Sequence, residues 1–258
     1  WVDPSKKHKT PVSIIYLHGF SAMRQETMPL CDMLAQQLGA NLFYTRLAGH
    51  GLSAQAMAEA TVNDWLNDAV EALEIGKWIG EKVIVVATST GGTLATWLAA
   101  YERSDDILAC ILISPNFMPA ESGVKFLTWP WAKVVIPLIF GKTYTWKPEN
   151  ELHERYWMTS YPTVAALPLM GLVQLVRKTD LNKIQCPTLV FLSLKDQIVK
   201  PEETEKFYAR FGSSIKKKVY IENSQDSRQH VLAGDILSPN TTEDVARTIL
   251  DFVNPMLQ

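Results

Sequence analysis

The sequence predicts an α/β fold: a mostly parallel central sheet with helices on both faces, and a helical insertion late in the chain. Three observations carry this. Short apolar runs rich in β-branched residues alternate with segments whose apolar residues recur at helical spacing. Small, Gly- and His-containing turns follow several of those runs. The alternation lapses from Phe117 to about Ile184 and then resumes.

Residues 1–10 are polar and basic and read as an extended leader. Val12-Ser13-Ile14-Ile15-Tyr16-Leu17 is a buried-strand run ending in His18-Gly19-Phe20. From Thr27 to Leu38, Met28, Cys31, Leu34, Ala35 and Leu38 mark a helix, and Gly39 stops it. Asn41 to Leu47 reads as a second strand, followed by Ala48-Gly49-His50-Gly51. Thr61, with Asp64 as its capping partner, opens a helix whose stripe is Val62, Trp65, Leu66, Ala69, Val70 and Leu73. Val83 to Thr88 is a strand, Ser89-Thr90-Gly91-Gly92 a tight turn, and Thr93 to Ala100 a buried helix. Ile107 to Ile113 is a fourth strand, ending at Ser114-Pro115-Asn116.

A stretch of nearly 70 residues is too long for a loop in a compact domain. It divides the chain into a core of residues 1–116 and 185–258 and a mostly helical cap of residues 117–184. The Val124–Phe140 part is apolar, but it carries Lys125 and Lys133 and two prolines and is too short to span a bilayer. Thr188 to Ser193 resumes the strand pattern, with Asp196 three residues beyond. Pro201 stands in the first turn of a helix running to about Phe211. Lys217 to Ile221 is a last strand, and a polar loop then holds Asp226, Arg228 and His230. Thr241 is read as the cap of a final helix with Val245, Ile249, Leu250, Phe252 and Val253 on its face.

At 258 residues, 47% apolar and 20% charged, the chain has the composition of a soluble globular protein. Its net charge of −2 gives no bulk attraction for nucleic acid or anionic membranes. Cys31, Cys110 and Cys186 read as buried free thiols, with no metal-binding spacing among them. No signal peptide or membrane span is read, and a cytoplasmic location is expected; the chain begins at Trp1, so an upstream segment stays open, as does the oligomeric state.

The chemistry centres on Ala87-Thr88-Ser89-Thr90-Gly91, a small-x-Ser-x-small turn between strand and helix. Such a reversal strains the central residue and crowds the flanks, so both must be small. It lifts the Ser89 oxygen to the carboxyl edge of the sheet and aims a helix N-terminus at it. A serine hydroxyl needs a base, and the base an orienting acid. Of the five histidines, His8 and His153 are expected at the surface, and His18 and His50 beside glycines are expected to shape loops. His230, in the loop after the last strand, is the candidate base. Asp196 is preferred over Asp226 as the acid because a strand end is better fixed than a long loop. The backbone N–H groups of Phe20 and Thr90 are the candidate oxyanion donors, and Gly19 permits the tight backbone beside the first.

With these residues in place, the chain resembles the α/β-hydrolase superfamily from Ile14 to Val253. His18-Gly19-Phe20 resembles its oxyanion loop, Gly49-His50-Gly51-Leu52-Ser53 its Gly-His-Gly-x-Ser loop, and Ala87 to Gly92 its nucleophile elbow, with Gly91 at the small flank. Ala87 replaces the usual glycine, and the short leader leaves little room for the family's first antiparallel hairpin. Serine at position 89 argues against the dehalogenases and epoxide hydrolases, which use aspartate. The chain is most similar to the carboxylesterase, monoacylglycerol lipase and lysophospholipase-like group. That resemblance implies a cofactor-free, metal-free ester hydrolase acting on a small apolar ester, with an amidase, aminopeptidase, thioesterase or carbon–carbon hydrolase as the alternative on the same triad. A binding protein built on the fold is the third reading.

Overall fold

A computed structural model describes residues 1–101, 104–121 and 123–257, with Ser104 and Lys125 described by backbone alone. The first β-branched run forms β1 (Thr10–Leu17). A short 3-10 turn, Arg24–Glu26, precedes α1 (Leu30–Leu38). Gly39 ends that helix in the left-handed region at φ 58°, where its N–H reaches the carbonyls of Ala35 and Gln36. β2 (Asn41–Tyr44) is shorter than the apolar run implies, because the Leu47 N–H is bonded by the His18 ring instead of a neighbouring strand. α2 (Ala54–Glu59), capped by Ser53, adds a turn the sequence pattern did not mark. α3 (Val62–Ile79) starts at the expected Thr61–Asp64 capping box. β3 (Gly80–Thr88) leads through Ser89 into α4 (Thr90–Ala100), and β4 (Ile107–Ile113) follows.

The segment after β4 holds α5 (Ala132–Phe140), β5 (Thr143–Thr145), α6 (Glu151–Tyr156), β6 (Ser160–Pro162) and α7 (Ala166–Lys178). It is mostly helical, with one addition: β5 and β6 pair antiparallel as a small separate sheet. Its last helix packs inward, placing Leu172 and Val176 in the same core as α3 and α4. The apolar Val124–Phe140 stretch becomes a 3-10 turn and a nine-residue helix. Among the described residues, no helix is long and apolar enough to cross a membrane.

β7 (Thr188–Leu192), α8 (Pro201–Arg210), β8 (Lys216–Tyr220) and α9 (Pro239–Val253) complete the chain. Pro201 occupies the first turn of α8, as its fixed φ favours. Thr241 does not cap α9: the helix begins at Pro239, and the Thr241 hydroxyl donates to the carbonyls of Leu232 and Ser238. The main sheet has six parallel strands in the order β2-β1-β3-β4-β7-β8.

Successive strand residues face opposite layers, which divides the core in two. Ile15, Leu17, Val83, Val85 and Ala87 pack against α3, α4 and α7. Ile14, Tyr16, Ile84, Val86 and Ile111 pack against α1 and α9. The strand order reverses at β1 and β3: the chain leaves β1 outward to β2, then returns to β3 on the other side. Loops diverge at such a switch point and open a crevice at the strand carboxyl ends. His18-Gly19-Phe20 and Ser89 stand at those two ends.

Candidate active site

Ser89 has φ 53° and ψ −115°, a strained conformation for a residue with a Cβ. Its N–H donates to Ile113 O at 2.9 Å, and its own carbonyl accepts from Asn116 N–H at 3.0 Å. A Cβ built on Gly91 would lie 2.0 Å from Leu17 O. The elbow therefore sits directly on the end of β1, and a larger residue at this flank would force the two strands apart. Ala87, the other flank, is fully buried and accommodated. Ser21, Ser114 and Gln229 also have positive φ, so four of the five positive-φ non-glycine residues among those described border this site.

The structure brings Asp196 and His230 together. Asp196 Oδ2 accepts from His230 Nδ1 at 2.8 Å, while Oδ1 accepts from Ile198 and Val199 N–H at 2.8 and 2.9 Å. With Nδ1 protonated toward the carboxylate, His230 Nε2 is left without a proton. The rival Asp226 does different work. Its Oδ2 accepts from the N–H groups of His230 and Val231 at 2.8 and 2.7 Å, and Oδ1 from Arg228 N–H. Ser114 Oγ donates to His230 O at 2.7 Å, fixing the same loop from the β4 side. Burial opposes charge on the His230 ring, but Asp196, with Asp226 and Glu26 behind it, outweighs burial and raises the pKa. Ser89 and His230 both line one cavity.

The His18-Gly19-Phe20 turn is built from its peptide planes. His18 Nε2 accepts from Leu47 N–H, so Nδ1 carries the proton and donates to Gly19 O at 2.9 Å. The carbonyl of a trans peptide points opposite to the next N–H. Holding Gly19 O therefore turns the Phe20 N–H the other way. Neither the Phe20 nor the Thr90 N–H has a protein acceptor among the described residues, and both residues line the cavity. The Phe20 ring is wedged edge-on against His50, Trp65 and Tyr161. Glu26 was not marked by sequence reasoning: its buried carboxylate accepts from Gly19 N–H at 2.8 Å and from Tyr16 Oη at 2.9 Å.

His18 and His50 are fully buried, and burial first of all pushes their pKa values down to about 3 and about 4. In the unfolded chain both titrate near pH 6.5. As pH falls below that value the unfolded chain binds protons that the fold refuses, so stability drops until the folded pKa values are reached. Each ring contributes a slope of up to roughly 1.4 kcal/mol per pH unit. Urea midpoints between pH 7 and 4.5 are expected to fall less steeply for His18→Gln than for the parent, by about one proton's worth; parallel curves would refute the assignment.

His153 corrects the expectation of a surface residue. It is 6% exposed, held between Trp146 and Trp157 at ring distances of 4.9 and 4.6 Å, and it reaches the cavity wall. The cavity measures about 580 Å³, within the range of small-molecule sites. Leu127, Ile136, Phe140, Leu169 and Met170 are among its apolar lining residues, and Glu149, Gln197 and Arg228 among its polar ones. Among the described residues, no group of three or more His, Cys, Asp or Glu is placed to hold a metal ion.

A parallel sheet with a strained serine elbow at its switch point, an Asp–His pair at the same edge and a cavity over both defines an α/β hydrolase. The particular family follows from comparison: the family model described as "Serine aminopeptidase, S33" matches residues 8–225, and the chain belongs to that family. It is 28% identical over 233 residues to the thermostable monoacylglycerol lipase of Bacillus sp. (strain H-257), covering 86% of this chain and 85% of that protein. Among solved structures it is similar in fold to a lipolytic enzyme from the metagenome-derived LipS and LipT pair, with a TM-score of 0.76 at 21% identity, covering 96% and 95% of the two chains. The monoacylglycerol lipase of Paleococcus ferrophilus superposes with a TM-score of 0.72 at 16% identity, covering 97% and 98%.

Proposed function

We propose that the chain hydrolyses carboxylic esters of small apolar acids or monoacylglycerol-like esters through an acyl-enzyme on Ser89. The observation that carries this is the 2.8 Å Asp196–His230 contact opening on the same cavity as the strained Ser89. His230 Nε2 takes the Ser89 proton as Oγ attacks the acyl carbonyl. The Phe20 and Thr90 N–H groups receive the oxygen that becomes negative; one such donor is worth about 2.7–4 kcal/mol of transition-state stabilisation. The His230 cation, stabilised by Asp196, protonates the departing alcohol. Water then releases the acid by the same route.

The apolar lining suits an acyl chain, and the polar lining suits the alcohol. In this reading residues 117–184 are a cap that sets specificity, since they supply Leu127, Ile136, Phe140, Leu169 and Met170. The three unpaired cysteines accord with a reducing, cytoplasmic setting. A second reading, an aminopeptidase, has a specific observation in its favour besides the family description. Glu121 and Glu149 line the cavity and offer carboxylates to a free amine, whereas Glu151 and Glu154 are not among the residues that line it.

A substrate panel separates the two. We expect p-nitrophenyl esters of short and medium acyl length, and glycerol monoesters, to be cleaved at least about a hundredfold faster in kcat/KM than aminoacyl p-nitroanilides, a difference of roughly 2.7 kcal/mol. The opposite order would replace the esterase reading with the aminopeptidase one.

A further inference from the structure

We propose that Glu26 is a positioning residue that fastens the oxyanion turn to the nucleophile strand. The inference rests on the ester-hydrolase reading above and assigns a role that the triad and the oxyanion donors leave open.

Glu26 lies in the 3-10 turn between the oxyanion turn and α1, with its carboxylate turned inward to the cavity wall. Only 3% of the residue is exposed. A buried carboxylate is retained only where donors satisfy it. Here Oε2 takes two, Gly19 N–H at 2.8 Å and Tyr16 Oη at 2.9 Å. Tyr16 Oη is also 3.1 Å from the hydroxyl of Thr88, the residue immediately before Ser89. One carboxylate thus links the strand that carries the nucleophile to the turn that carries the first oxyanion donor.

The consequence for Phe20 follows from peptide geometry. The Gly19 N–H is held by Glu26, and the Gly19 carbonyl by the His18 ring and the Ala22 N–H. Both peptide planes flanking a glycine are then fixed, and the freedom that makes glycine mobile is removed. There is no slack in the arrangement: a Cβ at Gly19 would come within 2.6 Å of Glu26 Oε1. On its other side the Glu26 turn abuts the His230 loop, where a Cβ at Gly234 would meet Glu26 O at 2.5 Å.

Charge adds a second handle. Tyr16 and His230 are the titratable groups that act on Glu26; burial raises its pKa, and the bond from Gly19, the Tyr16 hydroxyl and the His230 charge work against that. Asp196, Asp226 and Glu26 are the carboxylates that act on His230. Removing the Glu26 charge while keeping its shape therefore makes His230 easier to deprotonate.

The test compares Glu26→Gln and Glu26→Asp with the parent, each normalised by fluorophosphonate titration so that only folded, reactive sites are counted. Glu26→Gln is expected to lower kcat by about ten- to a hundredfold with KM within about twofold, and to move the acid limb of kcat/KM to lower pH. Glu26→Asp keeps the charge but is one methylene too short to reach Gly19. It is expected to lower kcat similarly while leaving the acid limb in place. If both variants show parental kcat per titrated site and an unmoved acid limb, with only the melting temperature changed, Glu26 is a structural filler and the proposal fails. Full ester turnover by Ser89→Ala would instead remove Ser89 as the nucleophile on which this proposal rests, so the two failures are distinct.

Discussion

Ser89→Ala is expected to reduce turnover of p-nitrophenyl esters by about six orders of magnitude and to leave the fold intact. The size follows from what the side chain does. In the proposed mechanism Ser89 Oγ forms the covalent bond. The fold should be spared because the elbow is held by the backbone: Ser89 N–H to Ile113 O, and Ser89 O to the N–H groups of Thr93 and Asn116. Alanine keeps all three bonds and carries the same Cβ at φ 53°. The variant should also lose fluorophosphonate labelling. Residual rate above water, of order a thousandfold, is expected from the oxyanion donors and binding alone. Labelling or rapid turnover by folded Ser89→Ala would place the nucleophile elsewhere.

What the sequence made legible was local or periodic. The β-branched runs, the Thr61–Asp64 box, Pro201 at a helix start and the small flanks of the elbow each express their physics within a few residues. The crowding inferred at Gly91 is an example: the 2.0 Å approach to Leu17 O is what a tight strand-to-helix reversal beside another strand requires. Tertiary satisfaction was not legible. Glu26 sits in a polar stretch where a carboxylate ordinarily faces water, and only the fold brings Gly19 and Tyr16 to it. The one available signal was a lone acid between the His-Gly turn and the first helix. His153 was expected at the surface because it lies in the insertion, yet Trp146 and Trp157 close over the ring. The β5–β6 pair was hidden for a different reason. Its strands are three residues each, too short for an alternation to register.

Asp196→Asn is expected to lower kcat by about ten-thousandfold with little change in melting temperature. The surroundings of the carboxylate dictate how. Ile198 and Val199 N–H both donate to Oδ1, so the single carbonyl oxygen of an asparagine must occupy that position. Its NH2 group is then forced into the place of Oδ2, facing His230 Nδ1 at the 2.8 Å site. A donor there makes Nδ1 the acceptor and moves the ring proton to Nε2, the atom that must receive the Ser89 proton. The base is present, correctly placed and in the wrong tautomer. The charge that stabilises its cation is gone as well. Asp226→Asn should behave differently, because that carboxylate accepts three backbone N–H groups and does not touch the His230 ring. Replacing it leaves a buried donor facing donors, at a cost of about 1–3 kcal/mol in stability. Its kcat per titrated site should stay within about tenfold of the parent, the pKa of His230 falling only through the loss of a more distant charge. Measured side by side, kcat and the urea midpoint should respond in opposite proportions in the two variants. A ten-thousandfold loss in Asp226→Asn with Asp196→Asn near parental would exchange their roles.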